Sequence, residues 1–593
     1  MKQHIAHMVK NRASKYGSRE VYRFKDKSDN TYKPFSWDQL TASFDKVSKA
    51  LIKMGFGFES KIGIFSNNRI EWSITDYGIL TIRGIVVPFF GNATKEQVKY
   101  IVDETKMELM FVGDQEQFEK AKWVLQHSTS LKQIISLDRN LKIESKDCMD
   151  WEPFITSGND ADLDSRLTEI YDEAKPEDIA TILYTSGTTG EPKGVMLDHA
   201  NFMYAFSIHD ERLDVHDKDV SMCFLPLSHV FERTWSFYVL YRGAVNVFLE
   251  NPREVIDELP KAKPTLLCTV PRFFEKTHEG IFAEYEKWPS YKKKIFDWSI
   301  SVGNQRSILK SENKKIPGLL ELKFSLAEKL VLKKLRSIFG GNIRMIPCSG
   351  AAIRVDLLKF FHATGLWVNH GYGTTETTAT VSCFESHKYQ FGTIGKKMPG
   401  LEVKISDRGE ILVKGKTVFK GYYNKPDATS EVLKDGWYHT GDEGSIDENG
   451  DMVMTDRIKD LFKTSVGKYV SPQKIELILG QDPFIEQVIT IGDDRKYVTA
   501  LIVPVLANIR AHANMLGLHH SSDAHLISLK EVQDFFKKRI EKMQNELASY
   551  EKVVKFTLLH EPFTVENNAM TSTLKIRRKI IMEQYKNLIE QMY

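Results

Sequence analysis

Tyr184-Thr-Ser-Gly-Thr-Thr-Gly-Glu-Pro-Lys-Gly194 follows directly on the β-like run Ile179-Ala-Thr-Ile-Leu183. Three glycines, four small hydroxyl residues and one lysine share eleven positions. Glycine tolerates backbone angles that a Cβ forbids, so the amides of such a loop can turn inward around an anion. Thr185, Ser186, Thr188 and Thr189 add hydroxyl donors, and Lys193 adds a charge. The stretch is a cradle for a polyphosphate, hung from a strand as anion loops of α/β proteins usually are. It is not a Walker A loop, which needs four residues between its first glycine and Gly-Lys-Ser/Thr; here Lys193 follows Pro192. A flexible surface turn is the bland alternative, and the full string is too specific for it.

Outward from this loop, the first 150 residues alternate strand-like and helical segments. Lys61-Ile-Gly-Ile-Phe65 reads as a buried strand, Arg69 to Ile82 as a helix and Gly84-Ile-Val-Val-Pro88 as the next strand. Such alternation predicts βαβ units and a largely parallel sheet. Beyond about residue 395, Leu401-Glu-Val-Lys-Ile405 and Gly409-Glu-Ile-Leu-Val413 predict a small β unit. A third section begins near Asp456, with strands at Val488–Ile491, Val498–Pro504 and Lys552–Leu559. Ser528 and Glu531 predict a capping box before a helix running to about Leu547, and a charged helix is expected at the terminus.

The chain has 593 residues, too many for one core. Its hydrophobic share is 42%, yet no apolar run approaches the roughly 18 residues of a membrane helix. Met1–Lys10 lacks the apolar stretch of a secretory signal, so a cytoplasmic location is expected. The five cysteines are scattered, without a CxxC pair or a Cys/His cluster, and read as buried thiols. A formal net charge of +3 gives no reason to expect nucleic acid as a partner. From Trp288 to Ser337, however, ten lysines and two arginines face one aspartate and three glutamates. Ile295, Phe296, Trp298, Leu319, Leu320, Leu322, Leu326 and Leu330 are interleaved with them. A basic amphipathic helix can lie on an anionic membrane. The preferred expectation is a helical hairpin with its apolar face packed on the body and its lysines solvated.

Further strings follow the loop in order: Pro347-Cys-Ser-Gly-Ala-Ala352, Asn369-His-Gly-Tyr-Gly-Thr-Thr-Glu376, Trp437-Tyr-His-Thr-Gly-Asp442, Asp456-Arg-Ile-Lys-Asp460, Lys463-Thr-Ser-Val-Gly-Lys-Tyr469 and Thr573-Leu-Lys575. Together they resemble the adenylate-forming enzymes, from about residue 30 to 580. Leu225-Pro-Leu-Ser-His-Val-Phe-Glu-Arg233, Val270-Pro-Arg-Phe-Phe-Glu-Lys276 and the basic insertion at about 288–338 are similar to the long-chain fatty acid:CoA ligase branch. The resemblance implies an α/β fold of acyl-CoA synthetase/luciferase type. A large N-terminal AMP-binding domain (1–455) holds two α/β sheets and the β unit, and a smaller mobile α+β domain (456–593) follows.

The implied reaction joins a fatty acid to ATP, giving acyl-adenylate and pyrophosphate, and then transfers the acyl group to coenzyme A. Acyl-AMP ligation or another acid:CoA ligation remain alternatives, as does nucleotide or acyl binding without turnover.

The resemblance also implies roles. Thr185, Ser186, Gly187, Thr188, Thr189, Gly190 and Lys193 would hold the β- and γ-phosphates. Glu376, with Ser186, would serve a Mg2+ that keeps most of its waters; an ordinary glutamate at a helix start is the alternative. Tyr372 would offer a face to adenine, with Gly371 and Gly373 admitting the base, Gly350 and Ala351 lining the other side, and Thr374 and Thr375 beside it. Asp442 would accept both ribose hydroxyls, and Arg457 would reach the ribose or the phosphates. His229 would stand by the acyl carboxylate. Lys575 would contact that carboxylate and the α-phosphate. Asp456 would be the hinge that exchanges Lys575 for Gly467 and Lys468 on the coenzyme A side. A gating Trp found four residues after the histidine in some relatives is here Arg233, with Trp235 two further on. Peripheral membrane contact through the basic segment and a homodimer stay open.

Overall fold

The computed structural model describes residues 3–593 except 27, 142–145, 186–190, 387, 459, 466–467, 546 and 572–574. Lys61–Phe65, Ile85–Phe89 and Leu109–Val112 are apolar throughout most of their length, as strands covered on both faces must be. They form the centre of a seven-stranded sheet. Cys148–Met149 and Gln133–Ser136 extend one side, and Ile179–Thr185 and Lys193–Asp198 the other. Every pairing is parallel except the last. The glycine loop therefore spans an antiparallel hairpin, with Thr185 opposite Lys193. Among the described residues a strand, not a helix, follows it, so the loop's own amides and side chains would have to bind the anion.

A second sheet joins Leu266–Leu267, Val220–Cys223, Val245–Phe248, Glu20–Lys25 and Tyr32–Ser36. Helix Ile70–Thr81 is buried almost all round between the sheets, as its apolar sequence requires. Its fully buried charge, Asp76, meets Arg233 of helix Val230–Arg242 at 2.7 Å, both 1% exposed. Arg233 also stacks over Trp72 and Phe237. Position 233, four residues after His229, is thus one half of a core ion pair.

The predicted β unit is a five-stranded antiparallel sheet that includes Glu402–Ile405, Glu410–Lys414, Trp437–Ile446 and Met452–Arg457. The C-terminal section builds its own core on Ile485–Ile491, Val498–Pro504 and Val553–Leu558. Four cysteines are buried and Cys148 is half-buried, all as thiols.

Three expectations need correction. Ser528 caps nothing: it ends helix Asp523–Ser528, its hydroxyl donates to the His525 carbonyl, and Lys530–Met543 starts without a side-chain cap. The cap belongs to Ser522, which accepts from the His525 amide. The terminal helix is two short ones, Arg578–Gln584 and Lys586–Glu590. The basic segment is helical, Ser290–Ser311 and Gly318–Ala327 with further turns to Ser337. Of the eight apolar residues expected to pack on the body, only Phe296 and Leu320 are buried.

Removing one member of the Asp76–Arg233 pair strands a charge in the core. Arg233→Ala should cost about 3–5 kcal/mol in urea unfolding. Asp76→Leu combined with Arg233→Met should recover most of that loss.

Candidate active site

The β unit supplies the centre of the site. Strands Trp437–Ile446 and Met452–Arg457 pair so that Asp442 lies opposite Arg457. Asp442 is 2% exposed. Its Oδ2 accepts the Tyr372 hydroxyl, and its amide donates to Thr440 Oγ1 at 3.1 Å. Arg457 Nε stands 3.4 Å from Oδ1. The alignment is too poor for a hydrogen bond, so among the described residues Oδ1 is a buried acceptor without a donor. Burial pushes the Asp442 carboxyl up, while Arg457, the Tyr372 hydroxyl and Lys575 oppose the rise. An unmet acceptor of this kind suits a ligand hydroxyl.

Tyr372 ends strand Val368–Tyr372, and the one-turn 3-10 helix Thr375–Thr377 follows, capped by Thr374. Glu376 lies in that turn. Tyr422 donates its hydroxyl to Glu376 Oε1 at 2.8 Å, and Lys193 Nζ lies 4.9 Å from the Tyr422 ring centre. Tyr422 is a component that sequence reasoning missed; Lys420-Gly-Tyr-Tyr423 carried no family signal. Among the described residues no group of three or more His, Cys, Asp or Glu could hold a metal. Glu376 Oε2 has no hydrogen-bond donor among them. One half-buried carboxylate oxygen fits a Mg2+ whose other positions are water and phosphate.

The glycines beside Tyr372 have a reason of their own. A Cβ on Gly373 would lie 1.6 Å from the Ala379 carbonyl oxygen, and one on Gly371 would lie 2.5 Å from that of Ser382. The chain's own backbone is therefore enough to demand these glycines. Gly350 has φ +91°, a left-handed angle that favours glycine, and Ala351 beside it is exposed.

His229 caps helix Val230–Arg242. Its Nδ1 accepts the Phe231 amide at 3.2 Å, which leaves the proton on Nε2. Burial, helped by Lys575, lowers its pKa to about 4. A small cavity of about 40 Å³ lies beyond, lined by Trp235, Tyr238, His209, Ser349 and Tyr372 among others. Trp235 is held there by donating to Ser221 Oγ at 2.9 Å.

Lys575 comes from the C-terminal section. It stands in an open cleft, reached by solvent but crowded by the walls. That crowding lowers its pKa, as does Arg457, while Asp442, Glu376 and Asp460 raise it. The fold thus brings Lys575, Arg457, Asp442, Glu376 and His229 within electrostatic reach of one another. Asp460 joins them and was not anticipated.

Asp456 is fully buried. Its Oδ2 accepts Ser471 Oγ at 2.5 Å and the Gln473 amide at 3.3 Å, tying the last β strand to helix Pro472–Leu479. Lys468 is elsewhere, on hairpin Phe462–Lys463/Tyr469–Val470, with Nζ 5.9 Å from the Tyr550 ring. Ser186, Gly187, Thr188, Thr189, Gly190 and Gly467 lie outside the described residues.

Residues 9–423 match the AMP-binding enzyme family, and residues 459–593 match the AMP-binding enzyme C-terminal domain. The chain belongs to the AMP-binding enzyme family. It is 31% identical to the long-chain-fatty-acid–CoA ligase FadD15 of Mycobacterium bovis, over 92% of this chain and 89% of that protein. It is 30% identical to long chain acyl-CoA synthetase 1 of Arabidopsis thaliana, over 97% and 92%. Among solved structures, the anthranilate CoA ligase AuaEII with anthranoyl-AMP superposes with a TM-score of 0.73 at 17% identity, covering 99% and 98%. The o-succinylbenzoate coenzyme A synthetase of Bacillus subtilis with ATP and magnesium superposes at 0.65 and 19%, covering 96% and 98%. At such identities these structures establish the fold alone.

The depressed His229 pKa has a sign. Unfolded, the imidazole takes a proton near pH 6.5; folded, it resists until about 4. The associated stability is complete above pH 6.5 and is lost as pH falls toward 4. His229→Asn keeps a capping side chain. Its unfolding free energy should decline less steeply than the parent's between pH 6.5 and 4.5, by up to about 1.4 kcal/mol per pH unit. Parallel slopes in urea titrations would contradict the assignment.

Proposed function

We propose that this AMP-binding enzyme is a long-chain fatty acid:CoA ligase working through this cleft. A carboxylate oxygen of the acid attacks the α-phosphorus of ATP, and pyrophosphate leaves. The coenzyme A thiolate then attacks the acyl carbon, and AMP leaves. The nucleophiles belong to the substrates, so the protein's work is positioning and charge stabilisation. The observation that carries the reading is a cation from the C-terminal section standing among Asp442, Glu376, Arg457 and His229.

In this reading the unmet Asp442 Oδ1 accepts a ribose hydroxyl. Lys193 and the hydroxyl-rich loop hold the outer phosphates. Glu376 would hold the nucleotide's Mg2+, which supplies charge neutralisation on the phosphates. Neutral His229 offers its Nε2 proton to the acyl carboxylate, and Lys575 stabilises charge growing on the α-phosphate. The acyl chain enters beside Trp235 and Tyr238. A cavity of about 40 Å³ accepts only a few water-sized groups, so the channel must widen as the chain enters. The relatives named above support the acid class.

Asp456 then acts as the pivot. Rotation about it withdraws Lys575 and presents Gly467 and Lys468 to the pantetheine arm.

Lys575→Ala should lose acyl-adenylate synthesis at least a hundredfold, read as pyrophosphate release, while conversion of supplied acyl-adenylate to thioester stays within a few-fold. Asp442→Asn should raise the KM for ATP about tenfold with a smaller change in kcat. Asp456→Pro should impair thioester formation more than adenylate formation; equal loss in both would remove the pivot role.

A further inference from the structure

We propose that the outer face of helix Gly318–Ala327, with the turns that continue it, docks on the surface of an anionic lipid bilayer. Leu319, Leu322, Leu326 and Leu330 are 67%, 70%, 52% and 43% exposed. Spacings of three and four put such residues on one helix face. Single exposed leucines are ordinary on soluble proteins; four in one stripe are not. The helix is not loose. Leu320, Ala327 and Leu332 are buried against Val302 on its inner side, and Arg306 ties Glu321 to the neighbouring helix at 3.2 Å. The leucines face water because the opposite side of the helix is already packed.

Charge identifies the occupant. The segment from Trp288 to Ser337 carries a net +8, whereas the whole chain carries +3. The remainder is therefore negative, and this segment stands out as positive. Lys323, Lys329, Lys333 and Lys334 are exposed among the leucines, and among the described residues none of the four has an acidic partner. Arg306 and Arg336 are neutralised by Glu321 and Glu328.

A second copy of the chain is a poor occupant, because like faces would bring lysines against lysines. A protein partner is disfavoured by the stripe itself, which is aliphatic, whereas protein hot spots favour Trp, Tyr and Arg. Leucines that enter the acyl boundary and lysines that extend to lipid phosphates suit an anionic bilayer. No described helix is long and apolar enough to cross one, so the contact is peripheral.

The test is co-flotation of the full chain with phosphatidylcholine vesicles, with and without 30% phosphatidylglycerol. Binding should need phosphatidylglycerol and fall steeply with salt. Leu322→Asp with Leu326→Asp should reduce partitioning at least tenfold, and Lys329→Glu with Lys333→Glu comparably. All four positions are exposed and outside the cleft, so pyrophosphate release without vesicles should be unchanged. Absence of flotation, flotation indifferent to both double variants, or a light-scattering dimer that the leucine variant dissociates would each overturn the proposal.

Discussion

A buried carboxylate with one oxygen unmet is the constraint around which this molecule is arranged. Asp442 is enclosed by the β unit, and burial alone would favour its protonated form. Tyr372, Arg457 and Lys575 together hold it toward the charged form. These helpers come from three parts of the chain: strand Val368–Tyr372, the β unit and the C-terminal section. The site is therefore complete only when all three are assembled. The strand register does much of this. Because Asp442 pairs with Arg457, Asp456 is fixed one residue before the guanidinium and faces Ser471 across the junction. One pair of strands thus sets both the charge pattern around Asp442 and the attachment of the section that carries Lys575.

Most of the framework was legible because its sequence signals are local and redundant. Lys61–Phe65 and Val498–Pro504 are apolar runs that only a covered strand can use. Asp442, Glu376 and Lys575 were singled out by motif order, a signal stronger than any single residue, and the fold brings them within electrostatic reach of one another. What failed were patterns with two readings. Ser-x-x-Glu at Ser528 satisfies the capping rule, but Ser528 is already the last residue of helix Asp523–Ser528, which Ser522 caps. Helix Gly318–Ala327 is apolar on several sides, so periodicity could not decide which leucines would be covered. Gly371 and Gly373 show the same ambiguity. A missing Cβ can admit a ligand or a neighbouring carbonyl, and only coordinates distinguish them. Tyr422 was invisible because its role depends on Glu376 and Lys193, which are far away along the chain.

The two groups proposed to meet the acyl carboxylate are held in opposite ways. His229 begins a helix fastened at several points. Asn68 donates to the Leu225 carbonyl and accepts the Leu227 amide just ahead of it. The Asp76–Arg233 pair locks the helix one turn further on. Its imidazole is thereby kept neutral and aimed, with little freedom to reorganise. Lys575 instead reaches the cleft from a separate core, on a segment bonded back to Thr571. In the proposed reaction a neutral donor that stays and a cation that would be withdrawn divide the electrostatic task. The charge needed to stabilise the α-phosphate would hinder departure of AMP if it remained, whereas a neutral hydrogen-bond donor would hinder it little. On this view the ion pair buried at Arg233 is retained for what it holds still rather than for net stability, since a well-packed apolar pair there could match or exceed its contribution.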